Sequence, residues 1–146
     1  VSARGRKIAI VAARFNELVV GSLLKGARAA WVEHGGEDEA LLVVRVPGAF
    51  ELPVVARKLA AGGRYEAVIA LGCVIRGDTP HFDYVAGECA RGLQLAALQT
   101  GVPIIFGVLT VENLEQALVR AATSEGNKGG ESMECALEMA SVMASL

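Results

Sequence analysis

The densest run of chemically capable side chains is at residues 72–82, Gly-Cys-Val-Ile-Arg-Gly-Asp-Thr-Pro-His-Phe. Gly77, Asp78 and Thr79 stand just ahead of a segment with helical spacing. Their backbone N–H groups could hold a phosphate at the helix N-terminus, where the peptide dipoles favour negative charge. Asp78 or Thr79 could equally be an ordinary helix cap. His81 follows at once, and imidazole suits proton transfer near neutral pH. Alone, a histidine in a first helical turn is an ordinary surface residue, and only the adjacent anion site raises it above that.

Other polar or aromatic residues follow apolar runs in the same way. Phe15, in Arg14-Phe15-Asn16, could stack on a flat heterocycle, although a core position would explain an isolated Phe as well. Phe50-Glu51, after Pro47-Gly48, sets a carboxylate at a helix start, which the helix dipole favours with or without a ligand. Arg120 and Lys128 flank or sit in the Gly-rich stretch around Gly126-Asn127-Lys128-Gly129-Gly130. They could neutralise a phosphate or simply be solvated. Cys73 ends an apolar run with no sharp turn into a helix after it, which fits a buried inert thiol better than a nucleophile. His34, ahead of Gly35-Gly36, has no chemically suggestive neighbours in the sequence and reads as a surface residue. Gly-x-Lys-Gly is not a Walker A pattern and G-x-G-x-x-G is absent, so nucleotide hydrolysis and a Rossmann dinucleotide site lose support.

Apolar runs at 7–13, 41–46, 67–75 and 103–109 predict buried strands. Helical spacing predicts helices over 17–34, 49–61, 82–100, 113–122 and 130–146, the last two separated by a polar loop at 124–129. Gly35-Gly36 and Gly62-Gly63 supply stop signals. Strand and helix alternate, and each crossover is long enough to return parallel. This predicts a mostly parallel sheet with helices on both faces. In such sheets ligands gather beyond the carboxyl ends of the strands. Those ends are the places where Phe15, Glu51, the 76–81 loop and the 110–113 segment fall. The closing helix is apolar on more than one side (Met133, Ala136, Leu137, Met139, Ala140, Met143), leaving a face for a neighbouring subunit.

The 146 residues suit one domain spanning 1–146, with 1–6 as a flexible start that holds the small basic cluster Arg4, Arg6, Lys7. With 14 Lys+Arg against 16 Asp+Glu and a net charge of -2, there is no electrostatic footprint for nucleic acid. Hydrophobic residues make up 53% and mean hydropathy is +0.43, yet charges interrupt every stretch short of the ~18 residues of a membrane span. A surplus of apolar surface in a small domain is usually buried against copies of itself, so an oligomer is expected. The three cysteines, Cys73, Cys89 and Cys135, lack C-x-x-C spacing, so disulfides and zinc are poorly supported and no metal site is expected. A cytoplasmic protein is the default expectation, with an upstream targeting segment left open.

The order of the motifs is more specific than any one of them. Ala13-Arg14-Phe15-Asn16, Leu23-Leu24-Lys25-Gly26-Ala27, Val46-Pro47-Gly48-Ala49-Phe50-Glu51, ALGCVIRGDTPHFDYV at 70–85, FGVLT at 106–110 with Glu112-Asn113 and Glu115-Gln116-Ala117, and GNKG at 126–129 occur in sequence. From about Lys7 onward the chain resembles the lumazine synthase family. The resemblance implies a flavodoxin-like three-layer α/β/α fold with a four-stranded parallel sheet. It implies condensation of 5-amino-6-(D-ribitylamino)uracil with 3,4-dihydroxy-2-butanone 4-phosphate to 6,7-dimethyl-8-ribityllumazine, without cofactor or metal. It also implies roles: Phe15 stacking on the pyrimidine, and Asn16 with the backbone around Ala49, Phe50, Val74 and Ile75 holding its polar edge. Glu51 would bind the ribityl chain. Gly77, Asp78 and Thr79 would cradle the phosphate with Arg120, and His81 would be the general acid/base. Phe106 and Arg120 would come from an adjacent subunit, and Lys128 would join the site. The implied assembly is a pentamer, or a 60-subunit shell built from pentamers, with riboflavin synthase as a further partner. Val20-Gly21, Ala122 and Ser124-Glu125 depart from the common pattern, the last two near Arg120. A non-catalytic flavin- or lumazine-binding homologue, or one that mainly forms shells, is the alternative; the presence of both His81 and Arg120 favours the enzyme.

Overall fold

The computed structural model describes residues 1–122 and 126–146. Its strands are β1 (Ile8–Ala13), β2 (Leu42–Val46), β3 (Ala67–Ile75) and β4 (Ile104–Val111). Its helices are α1 (Glu17–Glu33), α2 (Leu52–Ala61), α3 (His81–Thr100), α4 (Leu114–Arg120) and α5 (Lys128–Ala144). All pairings are parallel, in the order β2-β1-β3-β4. This is the flavodoxin-like three-layer α/β fold that the alternation and the resemblance imply.

The central strands β1 and β3 are apolar on both faces because both faces are covered. Along β3, Ala67, Ile69, Leu71 and Cys73 point to one side, into a core with Val20, Leu23, Trp31, Met133 and Leu137 of α1 and α5. Val68, Ala70 and Val74 point to the other, against Leu52 and Ala56 of α2 and Cys89 and Leu93 of α3. Each large side chain fully buried in these layers contributes ~1.5–3 kcal/mol relative to exposure. Trp31 also satisfies its indole N–H, which donates to the Glu37 carbonyl at 2.7 Å.

Several element ends differ from expectation for identifiable reasons. The helix expected from 49 begins as a 3-10 turn, Ala49–Glu51, and becomes α-helical at Leu52. Pro53 has no N–H to give to the Ala49 carbonyl, so α-type bonding cannot run further back. Helix α5 starts at Lys128, two residues earlier than expected, because the Asn127 side chain caps it by accepting from Gly129 and Gly130 N–H. The Asn127 amide nitrogen donates in turn to the Ser22 and Ala121 carbonyls, pinning α5 to α1 and the end of α4. A side chain on Gly26 would collide with Asn127, so glycine there permits the pin. Ser124 and Glu125, placed by the sequence in a polar loop, lie outside the described residues.

At the N-terminus, Ala3 is buried and donates to the His34 carbonyl, and Arg6 pairs with Glu66 at 2.8 Å. His34, expected to lack chemically significant neighbours, instead meets Glu134 of α5 at 3.0 Å. One hundred residues separate the pair, so only the packing of α1 on α5 could reveal it. No described helix is long and apolar enough to cross a membrane.

Candidate active site

The crossover from β1 leads to β2 on one side of β1, whereas β3 and β4 build outward on the other. The loops leaving β1 and β3 therefore diverge, and a crevice opens at their carboxyl ends. A cavity of about 700 Å³ occupies this crevice, well within the size range of small-molecule sites.

Each wall comes from a different element. The β1–α1 turn gives Phe15 and Asn16; the start of the α2 region gives Gly48, Ala49, Phe50 and Glu51. The end of β3 gives Cys73, Val74 and Ile75; the loop after it gives Gly77 and Thr79. The first turns of α3 give His81, Phe82, Tyr84 and Val85. Of the residues to which the resemblance gives a site role, ten line this one cavity. Asp78 is in the same loop but not on the cavity wall. Phe106, on β4, Arg120, at the end of α4, and Lys128, at the start of α5, are not on it either.

Phe15 is 71% exposed and Phe50 57%, so the core explanation for Phe15 does not hold. Two rings left in solvent at the mouth of an apolar crevice are suited to stack on a planar ligand. Phe15 is nevertheless fixed at its backbone: its N–H donates to the Pro47 carbonyl at 2.9 Å, and Arg14 N–H donates to Val46 at 2.7 Å. Asn16 has φ 62° and ψ 47°, the only non-glycine described with positive φ, and its amide donates to the Cys73 carbonyl at 2.9 Å. Arg45, from β2, donates to the Ala12 and Ala13 carbonyls and pairs with Glu17, holding the same turn from the sheet edge.

Glu51 precedes α2 without making a side-chain cap, so its carboxylate is left for the cavity. Helix α3 likewise has no side-chain cap at Pro80; the nearest contact is His81 N–H donating to Thr79 Oγ1 at 3.4 Å. Among the described residues, the N–H groups of Gly77, Asp78 and Thr79 make no hydrogen bond. Backbone donors ahead of a 20-residue helix are the kind of group that can receive an anion, and His81, in the first turn of that helix, lines the same cavity as Gly77 and Thr79. Burial pushes the Cys73 thiol up to about 11, which keeps it protonated and unreactive at neutral pH. Arg120 lies outside, exposed, its guanidinium donating to the Gln116 carbonyl at 3.2 Å. Lys128 approaches Glu131 at 3.8 Å.

Sequence reading missed Gly48, Cys73, Phe82, Tyr84 and Val85 as cavity residues. The signal was available: 81, 82, 84 and 85 share the inner face of the first turns of α3.

A doubly wound parallel sheet with a crevice at its switch point, lined by an imidazole, a carboxylate and a loop at a helix start, is the arrangement of a small-molecule site in the flavodoxin-like α/β class. A profile of the 6,7-dimethyl-8-ribityllumazine synthase family matches residues 5–144. The chain belongs to that family, and it is thereby a transferase of riboflavin biosynthesis.

Proposed function

We propose that this protein, read as one domain, condenses 5-amino-6-(D-ribitylamino)uracil with 3,4-dihydroxy-2-butanone 4-phosphate, giving 6,7-dimethyl-8-ribityllumazine, phosphate and water. The observation that carries this reading is that one cavity gathers the Phe15 ring, the Glu51 carboxylate, the His81 imidazole and the donor-rich loop at 77–79. Each matches a part of the two reactants. Phe15 stacks on the pyrimidine, while Asn16 and the backbone at Ala49, Phe50, Val74 and Ile75 hold its polar edge. Glu51 accepts from the ribityl hydroxyls. Gly77, Asp78 and Thr79 give N–H groups to the phosphate. His81 moves protons as the amine adds to the ketone, water leaves to form the imine, phosphate is eliminated, and the ring closes with loss of a second water.

Holding two reactants in register can supply ~7–11 kcal/mol of the barrier in favourable cases. Binding geometry is therefore expected to survive loss of the imidazole. Phe106 and Arg120 are off the cavity wall of their own protomer, which supports their serving an adjacent subunit's site in a homo-oligomer, a pentamer or a shell of pentamers. Lys128 would add a second cation there. Riboflavin synthase, which consumes the product, is the proposed protein partner, and the cytoplasm the proposed compartment.

The test is an absorbance and fluorescence assay of purified protein with both substrates, run beside His81→Ala and Arg120→Ala. Fluorescent lumazine forms with wild type, and His81→Ala slows it within the ~10²–10⁴-fold range of general acid/base catalysis. Folded, assembled wild type giving no product above the uncatalysed rate overturns the reading.

A further inference from the structure

Arg76 joins three segments that the proposed reaction needs held together. Its backbone N–H donates to the Val111 carbonyl at 2.9 Å, extending the β3–β4 ladder one step past the strand. Its Nε donates to both Glu112 carboxylate oxygens, at 3.0 and 3.1 Å. Its guanidinium carbon lies 4.4 Å from the centre of the Phe82 ring, and Nη1 is 3.6 Å from Asp83. Phe82 and Asp83 directly follow His81, and Phe82 lines the cavity. Glu112 continues the connection. Its N–H donates to Gln116 Oε1 at 2.8 Å, and the Gln116 carbonyl accepts from Arg120 at 3.2 Å.

We propose that Arg76 is a positioning residue: it fixes the loop at 77–79 and the His81 turn against the end of β4. This rests on the reading above, in which that loop holds phosphate. The physical need is specific. Pro80 gives α3 no side-chain cap, and the N–H groups of 77–79 make no hydrogen bond; the local contacts are His81 N–H to Thr79 Oγ1 at 3.4 Å and Asp83 N–H to the Pro80 carbonyl at 3.0 Å, and neither ties the loop to β4 as Arg76 does. A planar guanidinium can stack on Phe82 with its face and bond Glu112 with its edge at the same time, whereas a lysine ammonium cannot do both. Arg76 is well exposed and is neutralised by two carboxylates, so it acts by geometry and not as a phosphate ligand.

The experiment compares wild type, Arg76→Gln, Arg76→Lys and Glu112→Gln in two measurements. The first is steady-state kinetics with each substrate varied; the second is calorimetric binding of inorganic phosphate, which needs no turnover. Misplacing a binding loop by an ångström can cost up to ~10²-fold. Arg76→Gln is expected to raise KM for the butanone phosphate and weaken inorganic phosphate binding by roughly tenfold, with KM for the pyrimidine unchanged. Arg76→Lys should recover less than half of the loss, and Glu112→Gln should move in the same direction as Arg76→Gln. Should Arg76→Gln fail to assemble, Glu112→Gln and Arg76→Lys carry the test. Phosphate affinity equal to wild type in the folded variants overturns the proposal, as does an equal rise in both KM values. Wild type that binds phosphate but makes no lumazine would instead overturn the function proposed above and leave this inference to the binding data.

Discussion

The Asn16 amide and the Cys73 carbonyl, 2.9 Å apart, tie the end of β1 to the end of β3 at the point where their crossovers diverge. Asn16 makes this bond from the left-handed region, at φ 62°, a conformation that costs most residues roughly 1–2 kcal/mol and that Asn tolerates better. Strain of this kind persists where neighbouring bonds over-determine it, and here the adjacent Phe15 and Arg14 N–H groups are tied to Pro47 and Val46.

Two substitutions separate the backbone from the amide. Asn16→Gly keeps the left-handed turn and removes the tie; Asn16→Ala removes the tie and strains the turn. Both should raise KM for the pyrimidine, while Asn16→Ala should be less stable than Asn16→Gly by about 1 kcal/mol in urea unfolding. Equal stabilities would mean that the turn stores no strain.

Phe15 offers the opposite separation, because its ring packs on little of the protein. Phe15→Ala should change unfolding free energy by no more than about 0.5 kcal/mol, as for an exposed site. A stacked aromatic pair is worth ~0.5–1.5 kcal/mol beyond its buried area, so pyrimidine KM should rise by up to about tenfold. An unchanged pyrimidine KM would remove Phe15 from the site.

Arg120 can be tested for its subunit of action. If it serves a neighbour's cavity, co-expressed His81→Ala and Arg120→Ala chains will form some sites that combine an intact His81 with an intact Arg120. Mixed assemblies should then exceed the activity of either parent. Activity equal to the parents' average would place Arg120 in its own protomer's site or in none.

The fold was legible because both signals that encode it are local. Continuous apolar runs such as 67–75 mark doubly covered strands, Pro47-Gly48 marks the end of β2, and the Gly-Gly pairs mark where α1 and α2 stop. The cavity was largely legible too, since strand ends in a parallel sheet converge whatever the loops contain. What was not legible depends on distance along the chain. Nothing near Arg76 foretells Glu112, thirty-six residues on, and nothing near His34 foretells Glu134. The exposure of Phe15 was hidden for a different reason: an aromatic after an apolar run reads as core unless the left-handed turn at Asn16 is known.

The two buried thiols set how the fold responds to alkali. Burial pushes Cys73 and Cys89 each up to about 11, above the ordinary thiol value, because their thiolates would lose solvation in the core. Their folded values are raised, so the folded chain keeps protons that the unfolded chain releases. The stability associated with them is complete below the ordinary thiol value and is lost as pH rises towards about 11. Urea midpoints should therefore fall between about pH 8 and about pH 10, and Cys89→Ala should flatten that fall while lowering stability at both values through the cavity it leaves. Iodoacetamide at neutral pH should modify Cys73 and Cys89 slowly in the native protein and quickly in denaturant, since the thiolate is the nucleophile. Rapid native modification of Cys73 would show that the crevice exposes its sulfur, and would end the assignment of an inert thiol at the end of β3.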